Sequence, residues 1–425
     1  MLILKLVKDY CIKYNVQLSS SKTKLMEITP PRVKTKPTYN PINIDGEPIG
    51  VVKQAEHVGV LRSTDGNMPN ILQRVTAFKN ALGSIVSCGL AHGSTSNPSA
   101  SLRILTLYGT PVLLSGLSSL VLSSKKVACI DQQFKRKLQS IIKLSTNSPA
   151  SLVHFIAGSL PGTAILHLKQ ISLFSMICHL PGDPLYVYAQ QVLVTSSCST
   201  SWFVQLRDLH LMYQLPHPLQ LLQNPPAKLV FKKLAKSRVL DFWEKKLRDE
   251  ACLLPSLTYF NPNFMSLTNP HKIWTTAGNK PYEVAKARIQ LLFLSSQYPC
   301  AKLTRHWSVE NPQGICTFPL CQDHNLVESP EHILIHCPAY ISTRLSLVLL
   351  CYKQKDPISH FLISKLLFTS NMMQLLLDCS ALPLVIHNAQ LHGEQVYNNL
   401  FYLSRTWCFA LHRERMKRLN KWKFR

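Results

Sequence analysis

Apolar side chains recur at helical spacing over most of this chain, with polar and basic residues between them. Near the start, Leu4, Val7 and Cys11 lie at positions i, i+3 and i+7, which places them on one face of a helix. Longer stretches with the same period follow. The stretches that predict amphipathic helices are residues 1–15, Met68 to Gly89 or Gly93, 127–141, 228–250, 282–296 and 391–420. The side chains expected to point inward include Ile130, Phe134 and Leu138 in the third stretch, Phe231, Leu234, Trp243 and Leu247 in the fourth, and Val396, Leu400, Leu403, Trp407 and Leu411 in the last.

Alternating patterns that are typical of strands are confined to the first part of the sequence. Residues 16–27 alternate and indicate an extended segment. Ile42 and Ile44 alternate just before an Asp-Gly pair, which predicts a β-hairpin. Residues 56–61 predict one further strand. The expected fold class is therefore mainly α, with a small β-hairpin region at the N-terminus.

The length of 425 residues predicts two or three domains. Residues 63–180 are expected to form a compact helical domain. Residues 181–226 are rich in Pro, Ser and Gln and are interpreted as a poorly specified linker, so that 181–281 comprises this linker and a connecting helix. The remaining divisions are the N-terminal region 1–62 and the C-terminal region 282–425.

Composition narrows the classes of partner and compartment. Forty-seven Lys and Arg against 22 Asp and Glu give a formal net charge of +25, which favours polyanions, and nucleic acid before anionic membranes. Thirteen scattered cysteines, an odd number, argue against a disulfide framework and predict a reducing compartment, nuclear or cytoplasmic. The interrupted apolar run at the start is too short for a signal peptide.

One uncharged stretch has the length of a membrane span. Residues 104–124 carry no charge but contain Gly109, Pro111, Gly116 and several serines. These residues favour a buried helix, a turn and a second segment over a single membrane helix. Membrane association is therefore not expected.

The strongest chemical motif is Cys-x4-Cys-x10-His-x4-Cys, formed by Cys316, Cys321, His332 and Cys337. Three thiolates and one imidazole form a closed tetrahedral set that suits structural zinc. Ser329-Pro330 is expected to start a short helix that presents the histidine. Alternative fourth ligands are His324 and His336, and the alternative to a metal site is a set of ordinary buried thiols.

Three basic segments are candidates for binding phosphates. Lys22 and Lys24 are expected on one side of an extended segment, and the predicted helix 127–141 carries three consecutive cations away from its apolar stripe. The C-terminal helix runs into a cationic tail. The predicted nucleic-acid-binding residues are Lys22, Lys24, Lys135, Arg136, Lys137, Arg413, Arg415, Lys417 and Arg418.

The sequence offers little for catalysis. It contains no Gly-rich phosphate loop and no adjacent Asp-Asp pair, and carboxylates before residue 100 are sparse. His57 and His154 each lie alone on an apolar segment, which favours a structural role. We therefore predict no catalytic residues.

Taken together, the pieces resemble a known family. DYCIKYNVQLSSSKTKLM followed by INIDGEPIGVVKQAEHVGVLRS is similar to the segment after the active site of reverse transcriptases from non-LTR (LINE-type) retrotransposons. The stretch from FKNALGSIVSCGL to VLLSGL resembles the thumb of that family. CTFPLC with PEHILIHCPAY resembles its C-terminal Cys/His region.

The resemblance implies a truncated fragment made of the end of the palm, the thumb and a zinc-binding module. Its partner would be RNA or DNA, such as a primer-template duplex. The family's metal-binding Asp-Asp turn is not in this sequence, so Mg²⁺ binding and polymerase activity of this chain alone are not expected. Two alternatives stay open: part of an active RNA-directed DNA polymerase whose catalytic half is encoded elsewhere, or a membrane or protein-interaction protein.

Overall fold

The structure is a computed structural model that describes residues 2–19, 22–27, 42–44, 47–57, 60–64, 66–87, 96–195, 201–308 and 311–423. Gly89 and Gly93, one of which was predicted to end a helix, lie outside these ranges. The fold is mainly helical, as the apolar periodicity predicts.

The first half of the described chain contains eleven α-helices, several of which match the predicted periodic stretches. These are α1 (Leu2–Lys13), α2 (Met68–Ser87), α3 (Pro98–Ile104), α4 (Thr110–Leu113), α5 (Ser124–Ile142), α6 (Ala150–Ala157), α7 (Gly162–Ile177), α8 (Pro184–Thr195), α9 (Trp202–Met212), α10 (Pro218–Gln223) and α11 (Lys228–Cys252). A π-helical segment, Leu105–Gly109, and a 3₁₀ turn, Leu117–Ser119, flank α4.

The second half contains nine more. These are α12 (Lys272–Thr275), α13 (Pro281–Leu294), α14 (Ala301–Thr304), α15 (Pro319–Asp323), α16 (Ile341–Tyr352), α17 (Pro357–Leu366), α18 (Met372–Asp378), α19 (Pro383–His392) and α20 (Gln395–Lys423). One π-helical segment, His332–His336, and 3₁₀ turns at Pro255–Leu257, Pro262–Phe264, Arg305–Trp307, Pro338–Tyr340 and Cys379–Ala381 connect them.

Two antiparallel hairpins form the small β region. The first pairs β1 (Asn43–Ile44) with β2 (Glu47–Pro48) around the Asp-Gly pair and confirms the predicted hairpin. The second pairs β3 (Gln54–His57) with β4 (Val60–Ser63). The prediction of a single strand over 56–61 is therefore wrong, because the chain reverses direction between His57 and Val60.

The buried core begins at Ile71 on α2 and continues through the helices to Leu411 on α20. On α5, the predicted inward positions Ile130, Phe134 and Leu138 are almost fully buried. Side chains on both sides of residue 180 and of residue 281 belong to the same contiguous cluster. The predicted division into separate segments therefore has no counterpart in a break of the core.

The described residues 181–195 and 201–226 are folded, which corrects their interpretation as a poorly specified linker. Their described part forms α8, α9 and α10, and Phe203, Leu206 and His210 of α9 are buried. The His210 ring stacks near Phe231 of α11, with 6.2 Å between ring centroids. The aromatic and aliphatic anchors outweigh the loop-like composition of the segment.

The last long helix, α20, lies at the centre of the C-terminal region, where it packs against α13, α16, α18 and α19. It begins at Gln395 rather than at Leu391, because Gly393 adopts a positive φ of 84° and separates it from α19. Its buried stripe contains the predicted residues Val396, Leu400 and Trp407.

The uncharged stretch 104–124 is interrupted, as its glycines predict. Gly116 has a φ of +69°, and the segment changes from π-helix to α4 to a 3₁₀ turn. Within the described residues, no single helix combines the length and apolar character needed to cross a membrane; α6 and α7, bent by 67°, meet that criterion only as a pair.

Candidate metal centre

Three local structures bring the four motif side chains together. Cys316 lies beside the isolated bridge between Ile315 and Val327, and Cys321 lies on α15. His332 begins the π-helical segment, where the Ser329 hydroxyl accepts a hydrogen bond from its backbone N–H at 3.1 Å. Cys337 ends this segment before Pro338. The predicted start of the helix at Ser329-Pro330 is confirmed.

Three of the distances between donor atoms match those expected in a tetrahedral metal site. Cys316 Sγ lies 3.8 Å from Cys337 Sγ, Cys321 Sγ lies 3.9 Å from Cys337 Sγ, and Cys321 Sγ lies 3.5 Å from His332 Nε2. Tetrahedral zinc, with Zn–S of about 2.3 Å and Zn–N of about 2.0 Å, separates neighbouring ligand atoms by about 3.5–3.8 Å. The group could therefore hold a metal ion.

All four donor side chains are buried, and burial distinguishes the three histidines that were candidates for the fourth donor position. His332 is 6% exposed, whereas His324 and His336 are exposed side chains outside the cluster. The ring of His336 instead lies 3.6 Å from Glu331. The structure thus assigns the fourth donor position to His332 and leaves neither alternative histidine at the site.

The three neighbouring sulfur atoms change one another's pKa values. The hydrogen bond with Cys337 lowers the pKa of the Cys316 thiol to about 4, and the same contact raises the pKa of the Cys337 thiol. Burial raises the pKa of the Cys321 thiol. Three sulfurs this close carry full negative charge together only when a cation neutralises them, because like charges disfavour each other's ionisation.

Backbone and side-chain donors surround the sulfurs. The backbone N–H of Phe318 bonds to Cys316, and that of Ala339 bonds to Cys337, so each thiol accepts from the residue two positions later. Arg344 donates to the Cys337 carbonyl at 2.7 Å. Hydrogen bonds of this kind orient ligand atoms and stabilise thiolates.

A buried ion pair joins residues 314–340, the metal-site loop, to α20. Arg415 donates from Nε to Glu328 Oε1 at 2.9 Å and from Nη2 to Oε2 at 2.8 Å, and both side chains are less than 10% exposed. Glu328 also accepts from the backbone N–H of Ala301 at 2.7 Å. Arg415 was predicted to contact nucleic acid; its burial in this pair makes it a structural residue instead.

Two more residues of α20 contact the loop. Trp407, 1% exposed, donates from Nε1 to the Leu334 carbonyl at 3.2 Å. The Arg418 guanidinium lies over the rings of Phe318 and Tyr340, with its carbon 6.0 Å and 5.7 Å from their centroids. Arg418 is therefore half-buried by stacking rather than fully available to a phosphate.

The other predicted basic residues lie on three separate elements. Lys22 and Lys24 are exposed on the extended segment whose Leu25 bridges Val51. Of the three predicted cations on α5, only Arg136 is exposed, and Lys135 and Lys137 are half-buried. Burial, followed by repulsion from Lys143, lowers the pKa of Lys137. The exposed cations of the C-terminal segment are Arg413 and Lys417.

The sequence reasoning missed the residues that support the site. Glu328 and Arg415 are 87 positions apart, and no local pattern relates them. One signal was present: Arg415 follows Leu411 by four residues and so continues the buried stripe of the last helix.

Comparison with protein-family models, with curated proteins and with solved structures gives no match to this chain. The resemblance to LINE-type reverse transcriptases therefore rests on the quoted motifs alone.

Proposed function

We propose that this chain is a nucleic-acid-binding protein whose C-terminal region is ordered by a structural zinc ion. The observation that carries the proposal is the closed donor set of Cys316, Cys321, His332 and Cys337, whose spacing fits tetrahedral coordination. Three sulfurs and one imidazole nitrogen favour zinc over the harder divalent ions. Four protein ligands leave no position for a substrate or a reactive water, so the ion would stabilise structure.

The same region supports binding of phosphates. Because Glu328 contacts both the Ala301 backbone and Arg415, it ties the start of α14 to the end of α20. Each of these two segments carries exposed cations. They are Lys302 and Arg305 at the first segment, and Arg413 and Lys417 at the second. Cations gathered on one support bind a nucleic-acid backbone without sequence preference.

The family resemblance extends this proposal to origin and substrate. The chain would derive from a retrotransposon and contain a thumb-like helical part and the Cys/His module, and its ligand would be an RNA–DNA duplex or the element RNA. We expect no polymerase activity from it alone, because the sequence lacks the paired aspartates that hold two Mg²⁺ ions.

The salt dependence of binding tests this function. The affinity of the full chain for a fluorescein-labelled RNA–DNA hybrid would be measured by anisotropy at several salt concentrations. If about six phosphates are neutralised, the logarithm of the association constant falls linearly with the logarithm of the salt concentration, with a slope of about −5. A flat response would contradict a phosphate-based interface.

Variants locate the interface. Replacing Arg413 and Lys417 together by Gln is expected to reduce the slope by about 2, since each phosphate contact contributes about 1. Lys355→Gln, which removes an exposed charge from the connection between α16 and α17, is the matched control. Equal slopes for both variants would place the interface elsewhere.

A further inference from the structure

A groove between α7 and α11 has an apolar floor and a cationic rim. Leu168 and Ile171 of α7 face Phe231 and Ala235 of α11, and the space between them measures about 340 Å³. This volume lies in the range of about 300–1,000 Å³ that is usual for ligand sites. The groove is remote in sequence from the metal motif and does not depend on it.

The rim consists of three lysines one helical turn apart. Lys228, Lys232 and Lys236 all line the groove and are all exposed. At a rise of about 1.5 Å per residue they span about 12 Å along the helix. No carboxylate within the described part of the chain forms an ion pair with any of them.

The start of α11 contains only cationic and neutral residues. The first turn of α11 contains no acidic residue, and the first acid along the helix is Asp241. Cations near a helix N-terminus face the positive end of the helix dipole, which is unfavourable. Leu229 and Met176, 73% and 51% exposed, add apolar surface beside the lysines.

The arrangement distinguishes between possible ligands. Three cations at helical repeat, beside an apolar trough, match a helix that has carboxylates one turn apart and an apolar face. A nucleic-acid backbone would satisfy the lysines but leave the trough without a partner. A fatty acid would fill the trough with its alkyl chain, but its single carboxylate would neutralise only one lysine. We propose that the groove binds an acidic amphipathic helix of a partner protein.

A designed peptide tests the proposal. The probe is a fluorescein-labelled helical peptide with Leu at i, i+3, i+4 and i+7 and Glu one turn apart along the flank, titrated with the full chain at low salt. We expect saturable binding that weakens as salt rises. The same peptide with Lys in place of Glu is expected not to bind.

Three variants separate the groove from general basicity. Lys232→Glu is expected to weaken peptide binding about 10-fold by replacing attraction with repulsion. Leu229→Ser is expected to weaken it several-fold by removing apolar contact, and its exposure means that folding is unaffected. Lys245→Glu makes the same charge change on the same helix outside the groove and is expected to leave affinity within about 2-fold.

Two results would overturn the proposal. One is equal peptide affinity for Lys232→Glu and Lys245→Glu, which would reduce the effect to net charge. The other is evidence for a different ligand. In that case the acidic peptide does not bind at all, and Lys232→Glu weakens the binding of a single-stranded DNA oligonucleotide or abolishes the binding of dodecanoate.

Discussion

The metal-site loop and the N-terminal hairpins are both built from short elements, yet they differ in burial. In the loop, Cys321 and Cys337 are fully buried and the neighbouring Ile333 and Leu334 are 0% exposed. Before Ile71, the only described hydrophobic residue with comparable burial is Ile49, at 9%. The comparison shows that a short segment is buried when another element covers it, whatever its own secondary structure.

The covering element is α20 for the loop. Its Arg415 and Trp407 reach Glu328 and the Leu334 carbonyl, and the four donors close the loop on itself. In the described part of the N-terminal region, Val60 lies so close to Gly116 that a Cβ at the glycine would lie 2.6 Å from the valine side chain. Most of α1 is exposed, including Leu6, 61%.

Removal of the proposed zinc ion is expected to have the largest effect on this difference in burial. Structural zinc contributes on the order of 10 kcal/mol to the folding of small modules, so chelation should unfold the loop. We expect amide hydrogens of residues 314–340 to lose protection from exchange, while those of α5 and of the N-terminal hairpins do not change. Hydrogen exchange with and without a chelator measures this, and unchanged protection of the loop would contradict it.

Breaking the link to α20 is expected to have the next largest effect. Arg415→Met leaves Glu328 buried without its partner, and removing one partner of a buried pair destabilises by about 3–5 kcal/mol. Arg413→Met, on an exposed neighbouring position, is the control and should cost about 0.5 kcal/mol or less. Urea unfolding of the zinc-loaded variants compares them; equal midpoints would show that the ion pair does not support the loop.

An acid titration probes the helical core, which depends on neither region. Burial lowers the pKa of His154 on α6 to about 4, below the ordinary value of about 6.5. The unfolded chain therefore takes up this proton first, so stability is complete above about pH 6.5 and declines as pH falls towards 4.

The size of that loss is about 3 kcal/mol for this group. His154→Gln removes the titration and keeps a donor for the Ser159 carbonyl, which the histidine ring contacts at 2.9 Å. Urea unfolding at pH 7 and at pH 4.5 should show a smaller loss in the variant. The same loss in both proteins would rule out His154 as its source.

Removal of the N-terminal region is expected to have the smallest effect. A chain shortened to residues 67–425 keeps Asn67, whose amide donates to the Val121 carbonyl at 2.9 Å. Because few buried side chains are lost, the stability of the rest should change by about 1 kcal/mol or less. A large drop in the thermal midpoint would show that the hairpins are held more firmly than their exposure indicates.

The spacing of apolar residues predicted the helices well where a single apolar stripe of the helix packs against the core. The limits of α5 and α11 lie within a few residues of the predicted ones, although Leu234 on α11, expected to point inward, is 37% exposed and Ala235 is buried instead. The helices of 181–226 were not predicted, because the high content of Pro, Ser and Gln is typical of linkers and the buried residues, such as Phe203, are isolated in the sequence.

At the site, the sequence predicted the Cys/His cluster but not the residues that support it. Cysteine and histidine spacing within one segment is visible locally, so His332 and its three cysteine partners could be named. The partner of Glu328 depends on how α20 packs, and Arg415 sits among several other cations in the sequence. Charge alone does not distinguish a buried arginine from an exposed one.

Zinc content is the most direct test of the central claim. The full chain would be purified under reducing conditions and its bound zinc per chain measured, with Cys321→Ser and His332→Ala alongside. We expect one equivalent in the wild type and its loss in both variants. A well-folded wild type without zinc, or variants that retain it, would contradict the claim that this donor set is a structural metal site.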